Sequence, residues 1–155
     1  MLFFIRRAWQ YLETIVGIVF RHPVTGISVI PILPDGRVAL IRRRDTGKWA
    51  IPGGFVSWGE DITTAAYREL EEETGLEGLK IRRLVGVYSS PKRDPRVHSI
   101  CVVIAADVKG DFLVQDTLEV DEVKAFPLPN LPLDNLSYDH ESQLRDYLDG
   151  VTTVA

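Results

Sequence analysis

The sequence predicts a single mixed α+β domain. The chain has 155 residues, of which 45% are hydrophobic and 26% charged, and this composition is ordinary for a globular domain that buries a core. Segments with strand character outnumber helical segments and do not alternate with them regularly, which favours α+β over a doubly wound architecture. The formal net charge of -4 argues against a general nucleic-acid-binding protein, because such proteins usually carry a basic excess.

Residues 1–16 are predicted to form an amphipathic helical extension that precedes the main domain, residues 17–155. The extension has apolar residues at helical spacing, namely Ile5, Ala8, Trp9, Leu12, Ile15 and Val16. We expect this face to cover the domain or to contact a second copy in a homodimer; a peripheral membrane contact is the alternative, since Arg6 and Arg7 lie among aromatic residues. Charged residues interrupt the apolar run, so no integral membrane segment is expected.

The first part of the main domain is predicted to be a hairpin followed by a helix. Two apolar runs flank the pair Asp35 and Gly36, which is a strong turn signal. After the short segment "KWAIPGGFV", a helix is expected from Asp61 to Thr74, with Asp61 or Thr63 as its N-cap and Gly75 as its stop signal.

The second part is predicted to contain three further strands and a final helix. The segment "LKIRRLVGVYSS" indicates a strand with a bulge at Gly86, "SICVVIAADV" indicates the strongest strand of the chain, and "EVKAF" a last short one. Residues 138–148 are expected to form the final helix. Cys101 is the only cysteine, which excludes an intrachain disulfide and is compatible with a reducing, cytoplasmic compartment.

Glutamates are concentrated on one face of the predicted central helix. With about 100° per residue, Glu69, Glu72 and Glu73 share one side, whereas Glu71 faces away. Carboxylates at this spacing repel one another, and three oxygen donors on one element suit Mg²⁺ or Mn²⁺. The sequence therefore predicts a divalent-metal site, with Arg68 holding one of the carboxylates by charge-assisted hydrogen bonds.

The segment from Gly54 to Leu76 resembles a known family. It matches the pattern G-x5-E-x7-R-E-U-x-E-E-x-G-U, where U is apolar, at every fixed position: Gly54, Glu60, Arg68, Glu69, Leu70, Glu72, Glu73, Gly75 and Leu76. This pattern is the box of the Nudix hydrolases. The resemblance implies a mixed-sheet sandwich between helices, and Mg²⁺-dependent hydrolysis of a nucleoside diphosphate linked to another moiety.

The resemblance also implies roles for these residues. The metal ligands would be Glu69, Glu72, Glu73 and the carbonyl oxygen of Gly54, with Glu60 as an auxiliary carboxylate, and Arg68 would be the orienting cation. Glu69 or Glu72 would accept the proton of the attacking water. The later residues Glu119 and Glu122 are further candidates for this base, of which Glu122 is preferred.

The substrate is predicted to be a small nucleotide whose phosphates contact arginines. Strand alternation places Arg42 and Arg44 on one face and Arg43 on the other, and we assign Arg42 and Arg44 to the substrate. Trp49 and Phe55 could stack on a base, although core packing is the commoner fate of such residues.

The loop "YSSPKRDPRVHS" carries the clue to the particular substrate. Pro91 stands 16 residues after Gly75, and the "RDPR-x-H" stretch that follows is similar to the ADP-ribose pyrophosphatase branch of the family. In that case Arg93 and Arg96 would bind substrate, while His98 would fix the loop. The alternatives are a house-cleaning hydrolase of oxidised nucleoside triphosphates and a non-catalytic nucleotide-sensing protein.

Overall fold

The computed structural model describes residues 2–20 and 22–155, and the side chains of residues 7, 9–17 and 22–155. Within this part of the chain, the helices are α1 (Leu2–Phe20), α2 (Ile62–Thr74) and α3 (His140–Leu148), with a short 3-10 helix at Leu128–Asn130. The strands are β1 (Val24–Ile32), β2 (Val38–Arg43), β3 (Trp49–Ala50), β4 (Gly53–Phe55), β5 (Glu77–Tyr88), β6 (Ser99–Lys109), β7 (Val120–Phe126) and β8 (Thr153–Val154). The mixed α+β prediction is therefore confirmed.

Strand β1 lies at the centre of the sheet and joins its two parts. It runs parallel to β6 along its whole length and antiparallel to β4, whereas its register with β2 is limited to Ile32 opposite Val38. Strand β2 pairs with β3 and β7, and β5 pairs with β6 and β8. The predicted hairpin at Gly36 is present, and its glycine has a φ of 83°, which a residue with a side chain rarely adopts.

Helix α2 packs closely on the sheet because its contact residues are small. Ala65 and Ala66 are fully buried against Ile27 and Val29 of β1, so the helix backbone approaches the strand. On the next turn Leu70 is also fully buried. Truncation of such a leucine to alanine typically costs about 2–5 kcal/mol of stability. This packing fixes the orientation of the glutamate-bearing face relative to β1 and β4.

Both predicted ends of α2 are confirmed. Asp61, and not Thr63, is the N-cap: its carboxylate accepts a hydrogen bond from the backbone N–H of Thr64. Gly75 ends the helix with a φ of 75°, and its N–H donates to the carbonyl of Glu71. The capped ends therefore set the register of the helix.

Other elements differ from the predictions in detail. The pairing of β5 with β6 shifts register near Gly86, as expected, but two further irregularities precede it. Strand β8 was not predicted, since two residues carry no readable alternation. Helix α3 begins at His140, two residues later than expected, because Tyr138 has a φ of 55° and so cannot belong to a right-handed helix.

The N-terminal helix α1 extends through Phe20, beyond the predicted residue 16. The predicted apolar face includes Ile5 and Ala8, whose side chains lie outside the described residues. The described apolar side chains of the helix are exposed, including Trp9 at 61% and Ile15 at 57%, so these residues do not cover the domain, which was the first of the two roles expected for this face. No helix in the described ranges is both long and apolar enough to cross a membrane.

Candidate active site

An open cleft of about 400 Å³ lies where α2 faces β1 and β4. Loops that precede β6, β7 and α3 form its other walls. The charged and aromatic side chains that line it are Arg43, Phe55, Arg68, Glu69, Glu72, Glu73, Arg93, Asp94, Arg96, Asp116, Glu119, Tyr138 and His140. The cleft thus brings the predicted glutamates together with several arginines.

The glycine pair before α2 allows two glutamates to lie against β4. The backbone N–H of Gly53 donates a hydrogen bond to Oε2 of Glu73 at 2.8 Å. At Gly54 a Cβ atom would collide with the carboxylate of Glu69. At Gly53 it would collide with the backbone carbonyl of Ile27. Glycine is therefore required at position 53 by the backbone of β1, whereas a side chain at position 54 would displace the carboxylate of Glu69.

Burial shifts the protonation of the carboxylates that face β4. Burial raises the pKa of Glu73 to about 8, although its hydrogen bond from Gly53 opposes the shift. The pKa of Glu69 is also raised, first by burial, with the neighbouring charge of Glu72 contributing. Both groups would gain from a nearby cation, because a cation stabilises their charged form.

Arg68 connects the remaining acidic residues of the box. Its Nη1 donates to Glu69 at 2.7 Å and to Glu72 at 3.3 Å, and its Nε and Nη2 form two hydrogen bonds with Glu60, each of 2.9 Å. The bonds from Arg68 lower the pKa of Glu60 to about 2. Nη2 also donates to the carbonyl of Phe55, which ties the helix to the end of β4. Arg68 thus makes charge-assisted hydrogen bonds to the box carboxylates of the kind that the sequence predicted.

The carboxylates fit a hard divalent cation in chemistry, although their arrangement differs from the expected convergence. Among the described residues, no three acidic, histidine or cysteine side chains meet at metal-binding geometry. Glu73 is turned toward Gly53, while Glu69 and Glu72 are paired with Arg68. All three nevertheless line one cleft and offer oxygen donors, two of them in surroundings that disfavour an uncompensated charge.

Of the consecutive residues Arg42, Arg43 and Arg44, it is Arg43 that lines the cleft, which corrects the assignment of Arg42 and Arg44 to the substrate. Arg43 is almost buried and contacts Asp45 and Glu119. Arg42 pairs with Glu122 at 3.8 Å and Arg44 with Asp121 at 2.8 Å, and neither belongs to the cleft lining. Exposure alternates across Arg42, Arg43 and Arg44 as predicted, although the pairing of β2 with β7 shifts register between Arg42 and Arg43 and the strand ends at Arg43. The face that meets the cleft was predicted wrongly.

The same correction applies to the later glutamates. Glu122 pairs with Arg42 outside the cleft, so it is not in position to act as a base there. Glu119 and Asp116 line the cleft instead. Their loop is held in place because the backbone N–H groups of Gln115 and Asp116 both donate to the carbonyl of Glu72. Asp116 was not identified from the sequence, since no motif marks it.

The two loop arginines predicted to bind substrate both line the cleft but differ in their freedom. The side chain of Arg93 is only 8% exposed and is bound to both carboxylate oxygens of Asp139 and to Ser99. Arg96 is half exposed; it binds Asp94 and lies 4.5 Å from the ring centroid of Tyr138. Arg93 therefore braces the wall, while Arg96 is the accessible cation.

Tyr138 organises this side of the cleft and was missed at the sequence level. Its ring lies within cation–π distance of the guanidinium groups of both Arg96 and Arg43, the latter at 5.5 Å, and its hydroxyl donates to Asp45. Its positive φ is unusual for a bulky residue and is a form of backbone strain found at functional sites. A sequence pattern cannot show such a backbone angle.

The remaining expectations concern single residues. Trp49 packs edge-on against Phe126 in the core, whereas Phe55 is 53% exposed and lines the cleft. His98 bonds the carbonyl of Ser89, as expected for a residue that fixes the loop. Cys101 is buried and free, in agreement with the sequence.

A cleft with carboxylates on one side and arginines on the other is typical of enzymes that act on phosphate groups. Comparison with known proteins gives the family. The NUDIX domain model matches residues 22–147, so the chain belongs to the Nudix hydrolase family and is a pyrophosphohydrolase that acts on phosphoanhydrides. Hydrolases of this family generally require divalent metal ions.

Individual relatives agree with this assignment. An ADP-ribose pyrophosphatase of Methanocaldococcus jannaschii is 42% identical over 132 residues, which cover 83% of this chain and 75% of the relative. A Bacillus subtilis protein, named as a candidate 8-oxo-dGTP diphosphatase, is 30% identical over 129 residues, covering 83% of each chain. The structure of a MutT NUDIX hydrolase from Burkholderia pseudomallei matches with a TM-score of 0.70 and 29% identity, over 81% of this chain and 98% of that one.

Proposed function

We propose that this protein hydrolyses ADP-ribose to AMP and ribose 5-phosphate, with Mg²⁺ as its metal ion and Mn²⁺ as a substitute. The observation that carries the proposal is the single cleft in which Glu69, Glu72 and Glu73 face Arg43 and Arg96. Such a cleft suits a diphosphate that bears a polar group on each side. The archaeal relative named as an ADP-ribose pyrophosphatase supports the same substrate.

The metal ion would be held by the three glutamates of α2 and by the carbonyl oxygen of Gly54, with Glu60 as an auxiliary carboxylate. When bound there, a divalent ion neutralises phosphate oxygens and lowers the pKa of a coordinated water. Arg68 sets the direction of the Glu69 and Glu72 side chains through the hydrogen bonds described above.

The protein's own groups position the reactants and accept the proton. Water attacks one phosphorus of the diphosphate, the bridging P–O bond breaks, and the proton of the water passes to Glu69 or Glu72. Burial raises the pKa of Glu69, which makes its carboxylate a stronger base than an exposed glutamate. Glu119, which lines the cleft, replaces Glu122 as the candidate base from outside α2.

The substrate would lie with its phosphates toward Arg43 and Arg96. Arg96 is accessible, and Arg43 is held in place by Asp45. The exposed ring of Phe55, on the α2 side of the cleft, offers a surface on which the adenine can stack.

A substrate panel tests the proposal. The purified protein is incubated with ADP-ribose, other nucleoside diphosphate sugars and nucleoside triphosphates, with Mg²⁺, with Mn²⁺ and with a chelator. We expect AMP and ribose 5-phosphate to be released from ADP-ribose at the highest kcat/KM, and the chelator to abolish release. A panel in which ADP-ribose is not hydrolysed would refute the substrate assignment while leaving the family assignment intact.

The second candidate is a hydrolase of oxidised nucleoside triphosphates. The Bacillus relative that is named for 8-oxo-dGTP favours it. The panel separates the two, because this activity releases pyrophosphate from a triphosphate.

A homodimer formed through α1 is the assembly we propose. The helix exposes Trp9, Leu12 and Ile15, whose burial against a second copy would remove apolar surface from water. Light scattering during gel filtration should give twice the chain mass, and a Trp9→Asp variant should give the monomer mass; a wild-type monomer would refute this assembly. The free, buried Cys101 is compatible with the cytoplasmic location that we propose.

A further inference from the structure

His140 begins α3 and lines the cleft, yet none of the roles above uses it. The residue is 7% exposed. Its Nδ1 atom accepts a hydrogen bond from the backbone N–H of Ile51 at 2.9 Å. Ile51 directly precedes the Pro52 and Gly53 segment that leads into β4, so this bond ties the start of α3 to the strand beside the glutamates.

The bond from Ile51 determines where the imidazole carries its proton. An Nδ1 atom that accepts a hydrogen bond has no hydrogen, so the neutral ring carries its hydrogen on Nε2. Burial lowers the pKa of His140 to about 4, while Asp139 and Asp94 act in the opposite direction and Arg93 and Arg43 in the same one. Near neutral pH the ring is therefore an uncharged donor with a fixed tautomer.

This donor is left for the cleft. Within residues 22–155, Nε2 of His140 makes no hydrogen bond to the protein. Among the described residues, the side-chain polar atom that is both fully buried and without a partner is Oε1 of Gln143. Nε2 of His140 has no partner and is not in this class, so it is not completely buried. The ring of Tyr138 meets His140 edge-on at 5.9 Å and limits its rotation.

The position of His140 indicates which part of a substrate it would meet. The residue lies on the wall formed by Arg93, Arg96 and Tyr138, whereas the glutamates and Phe55 belong to the α2 and β4 side. A diphosphate held at the glutamates with its base on Phe55 would place its other half beside His140.

We propose that His140 is a specificity-determining residue whose Nε2–H donates a hydrogen bond to a hydroxyl or phosphate oxygen on the non-nucleoside half of the substrate. This inference rests on the proposed function for the identity of that half. A role as general base does not fit. To accept a proton from water, Nε2 would need a free lone pair, so the hydrogen of the neutral ring would have to move to Nδ1, and Nδ1 could then no longer accept the bond from Ile51.

Two substitutions separate the two roles of His140, namely the bond that it accepts from Ile51 and the bond that it would donate to substrate. In His140→Asn the amide oxygen can take the place of Nδ1 and keep the bond from Ile51, but no donor reaches the position of Nε2. In His140→Gln the amide nitrogen can reach the position of Nε2, but the acceptor for Ile51 is lost. Thermal unfolding reports the first role, and binding reports the second.

Binding is measured by calorimetry with ribose 5-phosphate, inorganic phosphate and AMP, which requires no turnover. We expect the Asn variant to bind ribose 5-phosphate about threefold to tenfold more weakly than the wild type, the effect of one hydrogen bond, and to bind AMP unchanged. The Gln variant should bind ribose 5-phosphate as the wild type does and should unfold at a lower temperature.

The three probes distinguish the acceptor. If phosphate binding weakens in parallel with ribose 5-phosphate binding, the acceptor is a phosphate oxygen; if phosphate binding is unchanged, it is a sugar hydroxyl. Equal affinity of wild type and Asn variant for ribose 5-phosphate, or no binding by the wild type, would overturn the inference. Failure of the proposed function shows separately, as absence of ADP-ribose hydrolysis by the wild type.

Discussion

Acid should destabilise the folded protein through His140. The folded state lowers the pKa of this imidazole to about 4 from its ordinary value of 6.5. Between these two pH values the unfolded chain binds a proton that the folded chain excludes, so unfolding takes up a proton. The free energy of unfolding must then fall as the pH falls from 6.5 toward 4, and is unaffected by this group above that range.

The magnitude follows from the size of the shift. Each pH unit within the range changes the free energy of unfolding by about 1.4 kcal/mol, so the two units between pH 6.5 and pH 4.5 have an upper bound of about 3 kcal/mol. The residue is only 7% exposed, so solvent screens the effect weakly, although its place in the cleft lining keeps the change below this bound.

Urea unfolding followed by circular dichroism, in steps between about pH 7 and pH 4.5, measures this effect. The matched control is His140→Asn, which keeps an acceptor for Ile51 but has no imidazole to titrate. Asp45 and Asp94, whose pKa values are lowered by arginines, also lose stabilising ionisation in acid, but they do so in both proteins and cancel in the difference. The wild type should lose up to about 3 kcal/mol more than the variant. Parallel loss in the two proteins would refute the reasoning.

The other predictions concern the cleft. Glu72→Gln should lower kcat by about two orders of magnitude or more with an unchanged unfolding temperature, because it removes a charged oxygen donor; near-normal turnover would contradict its role. Arg43→Met should raise the KM for ADP-ribose about tenfold, whereas the control Arg44→Met, just after β2 and outside the cleft lining, should not. Equal increases of KM in the two variants would contradict the assignment of Arg43 to the phosphates. Gly53→Ala should destabilise the fold by about 3 kcal/mol or more in urea unfolding, since its Cβ meets the backbone of β1, while Gly17→Ala meets nothing; a small loss at Gly53 would show that β4 can move.

Local signals in the sequence were sufficient for the helix that carries the glutamates. Asp61 and Gly75 define its ends by hydrogen bonds and backbone angles that involve only neighbouring residues, and the angular spacing of its side chains follows from helix geometry. The sequence also specified the hairpin at Gly36, since a turn with a positive φ depends on the residue itself. Such features can be predicted because their causes lie within a few residues.

Features that depend on distant contacts could not be predicted in this way. The alternation of β2 separates Arg43 from its two neighbours, but only the packing of that strand against the loop of Glu119 decides which face meets the cleft. The raised pKa of Glu73 likewise depends on burial beneath Gly53, 20 residues earlier in the chain. Spacing within a helix gives a direction for a side chain and says nothing of what covers it.

The sequence by itself determined the family, the α+β class and the helix whose glutamates face one side, because a local pattern of charge, glycine and apolar spacing encodes all three. Only the tertiary structure decided that Arg43 and not Arg42 or Arg44 faces the cleft, that Glu122 lies outside it, and that His140 lines it with Nδ1 bound to the N–H of Ile51. The physical reason is that burial, pairing and the choice of tautomer are set by atoms from distant parts of the chain, which meet only after folding.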